Sequence, residues 1–164
     1  MFNQIPDLVQ EYIDLCLASD YAKTEEVVRM VPMPNRDERV TSERCHLLTH
    51  PQTTMKIERF EDFCPEARAL CDYFASLYNH KGPVTAHIFN SPKDGFTFVE
   101  HLDPDDVVIY TVFGTKTMVI DGKPVRIAAG EHVYMKANTP HYATNEEASV
   151  MISIGLEKWV RDKL

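Results

Sequence analysis

His101-Leu102-Asp103 and His141 are the residues of this chain whose types and spacing can do chemistry together. Two imidazoles and one carboxylate on one face of a metal ion leave its other positions open, which is the donor set of non-haem iron(II) centres. In an extended segment residues i and i+2 point to the same side. His101 and Asp103 can therefore reach one ion, and His141 must arrive from another strand. Each residue taken singly reads more simply as a hydrogen-bonded side chain; the combination is what points to a metal site. Pro104 fixes the turn after Asp103, so Asp105 is expected to point outward to water. His46, His50, His80 and His132 carry no such pattern and are expected to face solvent or make structural hydrogen bonds.

The elements that must position these groups fall into two halves. Leu8, Tyr12, Leu15 and Cys16 recur at helical spacing behind Pro6, with Asp7, Glu11 and Asp14 between them, which predicts a first helix. Met30 to Arg39 carries Pro32, Pro34, Asn35 and Asp37 and reads as a loop. Thr53 to Arg59 reads as a strand. Pro65 to Tyr78 reads as a second helix with Ala67, Leu70, Cys71, Phe74 and Leu77 on one face. From Val84 onward short β-rich segments follow one another: Val84–Phe89, Phe96–Glu100, Val107–Phe113, Thr115–Ile120, Val125–Ile127, His132–Met135 and Ser149–Ile154. Turn signals separate them, Asp121-Gly122 being the strongest, since both central residues of a type I′ turn need positive φ. Closely spaced antiparallel strands of this kind predict a mainly β chain closed into a barrel or jelly roll. The N-terminal helices are expected to pack outside it. We read residues 1–164 as one domain: an N-terminal extension over 1–82, the barrel core over 83–156 and a tail over 157–164.

Composition narrows the function classes. The chain has 164 residues, 44% hydrophobic and 26% charged, with a formal net charge of -8 and scattered Lys and Arg. Nucleic-acid binding needs a basic surface that displaces counterions, so direct binding is not expected. No apolar run approaches the ~20 residues needed to span a bilayer, and Met1-Phe2-Asn3-Gln4 does not open a signal peptide. Cys16, Cys45, Cys64 and Cys71 form no CxxC pair and read as reduced thiols of a cytoplasmic protein.

Gly95 stands six positions before His101, Gly130 eleven before His141, and Asn145 four after it. These spacings resemble the two sequence blocks of the cupin superfamily, with Lys136 and Asn138 in place of the second block's Pro and Gly. Asn tolerates a left-handed backbone better than most residues. In place of the usual His-x-His the first block has His-x-Asp. The run from His101 to Lys116, with Gly114 two before the lysine, resembles the motif of Jumonji-C and cupin-like hydroxylases. The likeness covers roughly residues 84–156 and implies a double-stranded β-helix, the cupin or jelly-roll barrel.

That resemblance also implies a function: a 2-oxoglutarate-dependent non-haem iron dioxygenase, a hydroxylase. Fe(II) would be held by His101, Asp103 and His141, and Lys116 would pair with the distal carboxylate of 2-oxoglutarate. A dianion entering an apolar barrel needs such a partner. A second polar contact to the co-substrate would come from Thr85, His87 or Asn90, with Asn145 supporting the site. Asp106 takes the polar position that opens the next strand, where it would bond a ligand or cap the turn. Val108, Ile109, Val112 and Met118 would wall the barrel against water, and the Ser91–Gly95 loop would line its mouth. The substrate would be a small molecule or a protein side chain, and a homodimer through edge strands is compatible with the fold. The alternatives are another metal-dependent cupin enzyme, either an isomerase or a dioxygenase without an oxo acid, and a non-catalytic small-molecule-binding cupin.

Overall fold

A computed structural model describes residues 6–158, with side chains from Val9 onward. Residues 1–5, the side chains of Pro6, Asp7 and Leu8, and the tail after Lys158 lie outside the described residues. Helices α1 (Pro6–Ala18) and α2 (Asp20–Thr24) lead into strands β1 (Val28–Met33) and β2 (Arg36–Val40). Helix α3 (Ser42–Leu48), β3 (Thr54–Ile57), a 3-10 turn (Phe60–Asp62) and α4 (Pro65–Leu77) complete the N-terminal half. Six strands follow: β4 (Val84–Ser91), β5 (Asp106–Ile120), β6 (Lys123–Ala128), β7 (His132–Met135), β8 (His141–Thr144) and β9 (Ser149–Leu156). Among the described residues no helix is long and apolar enough to cross a membrane.

All named strand pairs are antiparallel. One sheet runs β2-β1-β3-β4-β9-β5, with β7 on the free side of the first half of β5. The second half of β5 pairs with β6 and β8 and forms the opposing sheet. Strand β5 therefore belongs to both sheets. It changes partners at Gly114, which pairs with Ser149 of β9, while Thr115 pairs with Ala128 of β6. The sequence reading broke this segment at Gly114; the chain instead runs on through a bulge between Thr111 and Phe113. Gly114 has φ +70°, and a Cβ there would stand 2.2 Å from the Ala148 carbonyl oxygen.

The alternation of β4, β9 and β5 sorts their side chains between two environments. Ala86, Ile88, Ile152, Ile154, Val108 and Tyr110 face outward and form one core with α1 and α4. Val107, Ile109, Met118, Ile127, Met135 and Met151 form the apolar interior of the barrel. Helix α4 starts on Pro65 and buries Ala67, Leu70, Cys71 and Phe74. Leu77, expected on that face, is exposed, as is Leu15 of α1, where Val9, Ile13 and Cys16 are buried instead.

The N-terminal half differs from its reading in one important way. Residues 30–39, expected as a loop, form the β1–β2 hairpin, with Asn35 at φ 59° in its turn. Pro32 falls in the irregular part of that ladder, where a missing N–H leaves no gap in the pairing. Strands β1 to β3 then extend the sheet beyond β4, so this half is part of the barrel wall as well as its outer cover. Residues 96–100, expected as a strand, are irregular. The tight Asp121-Gly122 turn has positive φ at both residues, 51° and 77°. Cys16, Cys45, Cys64 and Cys71 are buried free thiols.

Candidate metal centre

His101 and His141 meet through a two-residue antiparallel bridge. Each backbone N–H donates to the other's carbonyl at 3.1 Å. This adds the 101 segment to the edge of β8 and sets the two imidazoles side by side, with ring centroids 4.3 Å apart. Asp103 is held by its own carbonyl, which accepts from Asn138 N–H at 2.8 Å. Asn138 has φ 63°, the left-handed backbone expected for it. The potential ligand atoms of His101, Asp103 and His141 all lie within 4.8 Å of one another.

The imidazoles are oriented for ligation. Nδ1 of His101 bonds to the Val99 carbonyl and Nδ1 of His141 to the Thr139 carbonyl, each at 2.8 Å. A ring that donates through Nδ1 presents the Nε2 lone pair to a metal. His141 Nε2 faces Asp103 Oδ2 at 3.1 Å. The hydrogen bond from His141 holds the Asp103 carboxyl below its ordinary range, with burial opposing. Burial pulls the His141 pKa down, but the Asp103 carboxylate and the Thr139 carbonyl outweigh it and the net shift is upward. A divalent ion would take the place of this direct His141–Asp103 contact. Bonds of about 2.0–2.2 Å from N and O donors fit this spacing with small side-chain movements. The three residues therefore fit an ion of the non-haem iron type.

Neighbouring acids take other roles. Asp106 Oδ1 accepts from Ala137 N–H at 2.8 Å and Oδ2 from the Tyr134 hydroxyl, which ties the turn before His141 to the start of β5. Asp105 does not point to water as expected. It is buried, lines the cavity, and its Oδ1 accepts from Lys158 N–H at 3.1 Å. The cause is the immediate entry into β5, which turns Asp105 inward toward the C-terminal segment.

The triad opens into a cavity of about 180 Å³ between the two sheets. Lys116 also lines it and is 2% exposed. Its ammonium donates to Ser91 Oγ at 3.1 Å and to Asn145 Oδ1 at 2.8 Å. Asn145 in turn donates from Nδ2 to the Gly95 carbonyl at 2.9 Å. Burial lowers the Lys116 pKa to about 8, and among the described residues no carboxylate lies within ion-pair distance of it. Thr85 and His87 line the same cavity. His87 Nδ1 accepts from Arg59 N–H at 3.1 Å and burial drives its pKa down to about 3, so the ring is neutral with Nε2–H left as a donor.

Asn90 is a correction. It shares β4 with Thr85 and His87 but has the opposite parity, and it lines a separate cleft beneath α1. Val108 and Val112 are a second correction, since they pack outward with α4, while Ile109 and Met118 line the cavity with Val107 and Met151. Ser91, expected only as part of the mouth loop, ends β4 and holds Lys116, while Thr54 and Lys56 line the cavity with no expectation from the sequence. The parity of Thr85 and His87 was the available signal for Ser91. Nothing local marks Thr54 or Lys56, because their strand joins the site only by pairing with β4. His50, His80 and His132 make local or structural hydrogen bonds.

Residues 87–155 match the family described as cupin domain. No curated protein matches the chain. Among solved structures, YcfD, a ribosomal oxygenase from Escherichia coli in complex with cobalt and succinic acid, is 19% identical with a TM-score of 0.72. The likeness covers 93% of this chain and 44% of that one. A second structure of the same oxygenase gives 18% identity and a TM-score of 0.71, covering 92% and 44%. A cupin 2 conserved barrel domain protein from Leptotrichia buccalis is 27% identical over 47% of this chain and 37% of its own, with a TM-score of 0.44. This chain spans less than half the length of the ribosomal oxygenase it resembles. Residues 87–155 are thus similar to the cupin domain, and the chain has the fold seen in the ribosomal oxygenase.

Proposed function

We propose that this protein is an Fe(II)- and 2-oxoglutarate-dependent oxygenase, a hydroxylase acting on a C–H bond. The observation that carries the reading is a buried lysine with no carboxylate partner among the described residues, in the same cavity as three convergent candidate metal ligands. A buried cation is costly unless it is paired, and the missing partner is an anion that enters from outside. The co-substrate's distal carboxylate would take the Lys116 ammonium, already aimed by Ser91 and Asn145. Its 2-oxo acid end would lie toward His101, Asp103 and His141. When bound, the ion supplies the redox chemistry that couples dioxygen and decarboxylation of the oxo acid to hydroxylation of the substrate.

The chain's own residues do the rest. Val107, Ile109, Met118 and Met151 keep the cavity dry. His87 offers a neutral donor, and Asp106 holds the turn that presents His141. The likeness to the ribosomal oxygenase with bound succinic acid is one of fold, and the proposal stands on the site. The test is formation of succinate from 2-oxoglutarate by iron(II)-loaded protein under oxygen. We expect turnover in the parent and none in Asp103→Ala. Absence of succinate together with absence of 2-oxoglutarate binding to the metal-loaded parent rejects the reading.

A further inference from the structure

On the reading above, the metal and its co-substrate engage the triad and Lys116, and neither engages Lys56, which also lines the cavity. It lies on β3, where it pairs in register with Arg29 of β1 on one side and Phe89 of β4 on the other. Arg29 pairs in register with Arg39 of β2. A row of three basic residues thus crosses the sheet from its edge toward the barrel.

Two of the three are already satisfied. Arg39 pairs with Glu58 at 2.7 Å and Arg29 with Asp37 at 2.9 Å. Lys56 makes no ion pair within 4.0 Å among the described residues. Its ammonium stands 5.4 Å from the centre of the Phe89 ring, which packs edge-on against Phe98 at 5.8 Å. The Arg29 guanidinium covers Phe98 at 5.2 Å. Lys56 is half-buried, and burial lowers its pKa.

Lys56 and both rings also line a cleft with Arg29, Asp37, Val99 and His101, the Asp37 carboxylate being engaged by Arg29. Lys56, Phe89, Phe98 and His101 are shared between this cleft and the main cavity, so the cleft opens beside a metal ligand. A cation over one phenyl ring with a second ring beside it, next to the exposed side of a triad, suits a molecule with an apolar body and one oxyanion.

We propose that this cleft is the site of the prime substrate, a small organic carboxylate or phosphate whose oxyanion is held by Lys56 and whose apolar body lies against Phe89 and Phe98. The proposal rests on the oxygenase reading for the identity of the second anion, and Lys56 is a specificity-determining residue within it.

The experiment measures binding, not turnover. Nickel-loaded protein saturated with 2-oxoglutarate is titrated calorimetrically with phenylacetate, with phenyl phosphate and with the neutral phenylacetamide. We expect at least one anion to bind, and phenylacetamide to bind about tenfold more weakly or worse. Which anion binds more tightly separates carboxylate from phosphate. Lys56→Met should weaken the anion by about tenfold or more and leave phenylacetamide unchanged, while Lys56→Arg should restore most of the affinity. Thermal melting of both variants checks that they fold. The proposal is overturned if neither anion binds the parent, if Lys56→Met binds the anion as the parent does, or if 2-oxoglutarate displaces it. If 2-oxoglutarate itself fails to bind, the oxygenase reading falls. The titrations without it then still decide the subsite, by whether anion binding depends on Lys56 or on Lys116.

Discussion

The Nε2 atoms of His101 and His141 are kept available because the Nδ1 atoms bond to carbonyls two residues back. Loss of an outer contact of this kind weakens metal binding about 10–100-fold, so loss of a ligand should do more. His141→Ala is expected to lose iron(II) affinity by more than about 100-fold in a competitive titration while keeping its circular dichroism. Full retention of iron would remove the metal-site assignment. Lys116 makes a different prediction. In the metal-free protein burial lowers its pKa from 10.5 to about 8. The unfolded chain therefore binds a proton between pH 8 and 10.5 that the folded chain does not, and folding stability gains with rising pH in that window. Below pH 8 the full penalty of the buried charge is present. Lys116→Met should be the more stable protein at pH 7, and the difference should shrink as pH rises to 10.5, as read from urea midpoints. The same variant should bind 2-oxoglutarate about 30-fold or more weakly, the loss expected for an unpaired buried carboxylate.

At the scale of elements, the site depends on where β5 changes sheets and on the turn that delivers His141. Gly114→Ala puts a Cβ 2.2 Å from the Ala148 carbonyl at φ +70°, where no small rotation relieves both faults. A strained backbone position alone costs about 1–3 kcal/mol; with the clash, we expect destabilisation of about 3 kcal/mol or more by chemical denaturation. A change near zero would mean that β5 does not pass between the sheets here. Asp106→Ala frees Ala137 N–H and the Tyr134 hydroxyl together. It should lower metal affinity about tenfold without emptying the site, whereas Asp103→Ala empties it.

For the whole molecule, a metal that binds only the folded chain adds stability by mass action. At a free concentration about a hundredfold above Kd the gain is ~2.7 kcal/mol. For a domain of this size that corresponds to a rise in Tm of roughly 5–10 °C. Scanning calorimetry of the parent with and without iron(II) under anaerobic conditions should show it, and the shift should vanish in His141→Ala. The candidate ligands come from two segments joined through a backbone bridge, so a bound ion would clip the 101 segment to β8 and link distant parts of the fold.

His-x-Asp with a distal His, the Gly114-x-Lys116 step and the Asp121-Gly122 turn were legible in the sequence because each is a short-range pattern with one physical meaning. Strand existence from residue 84 onward followed from the same kind of signal. Partner choice did not. Asn90 and Asn145 read alike as polar neighbours of the site, and only strand parity and register separate them: Asn145 meets Lys116, while Asn90 turns to the other face. Asp105 was placed by its local turn, yet the C-terminal backbone that meets it is 53 residues away. Lys56 and Thr54 enter the cavity because β3 pairs with β4, and a strand pairing across such a distance leaves no mark on either segment. Short-range pattern was enough to mark the candidate ligands, the buried lysine and the barrel's own strands. Long-range strand pairing is what makes the N-terminal half part of the barrel wall, and with it brings Lys56 into the cavity of the candidate metal ligands, because register between distant strands is fixed only when they meet.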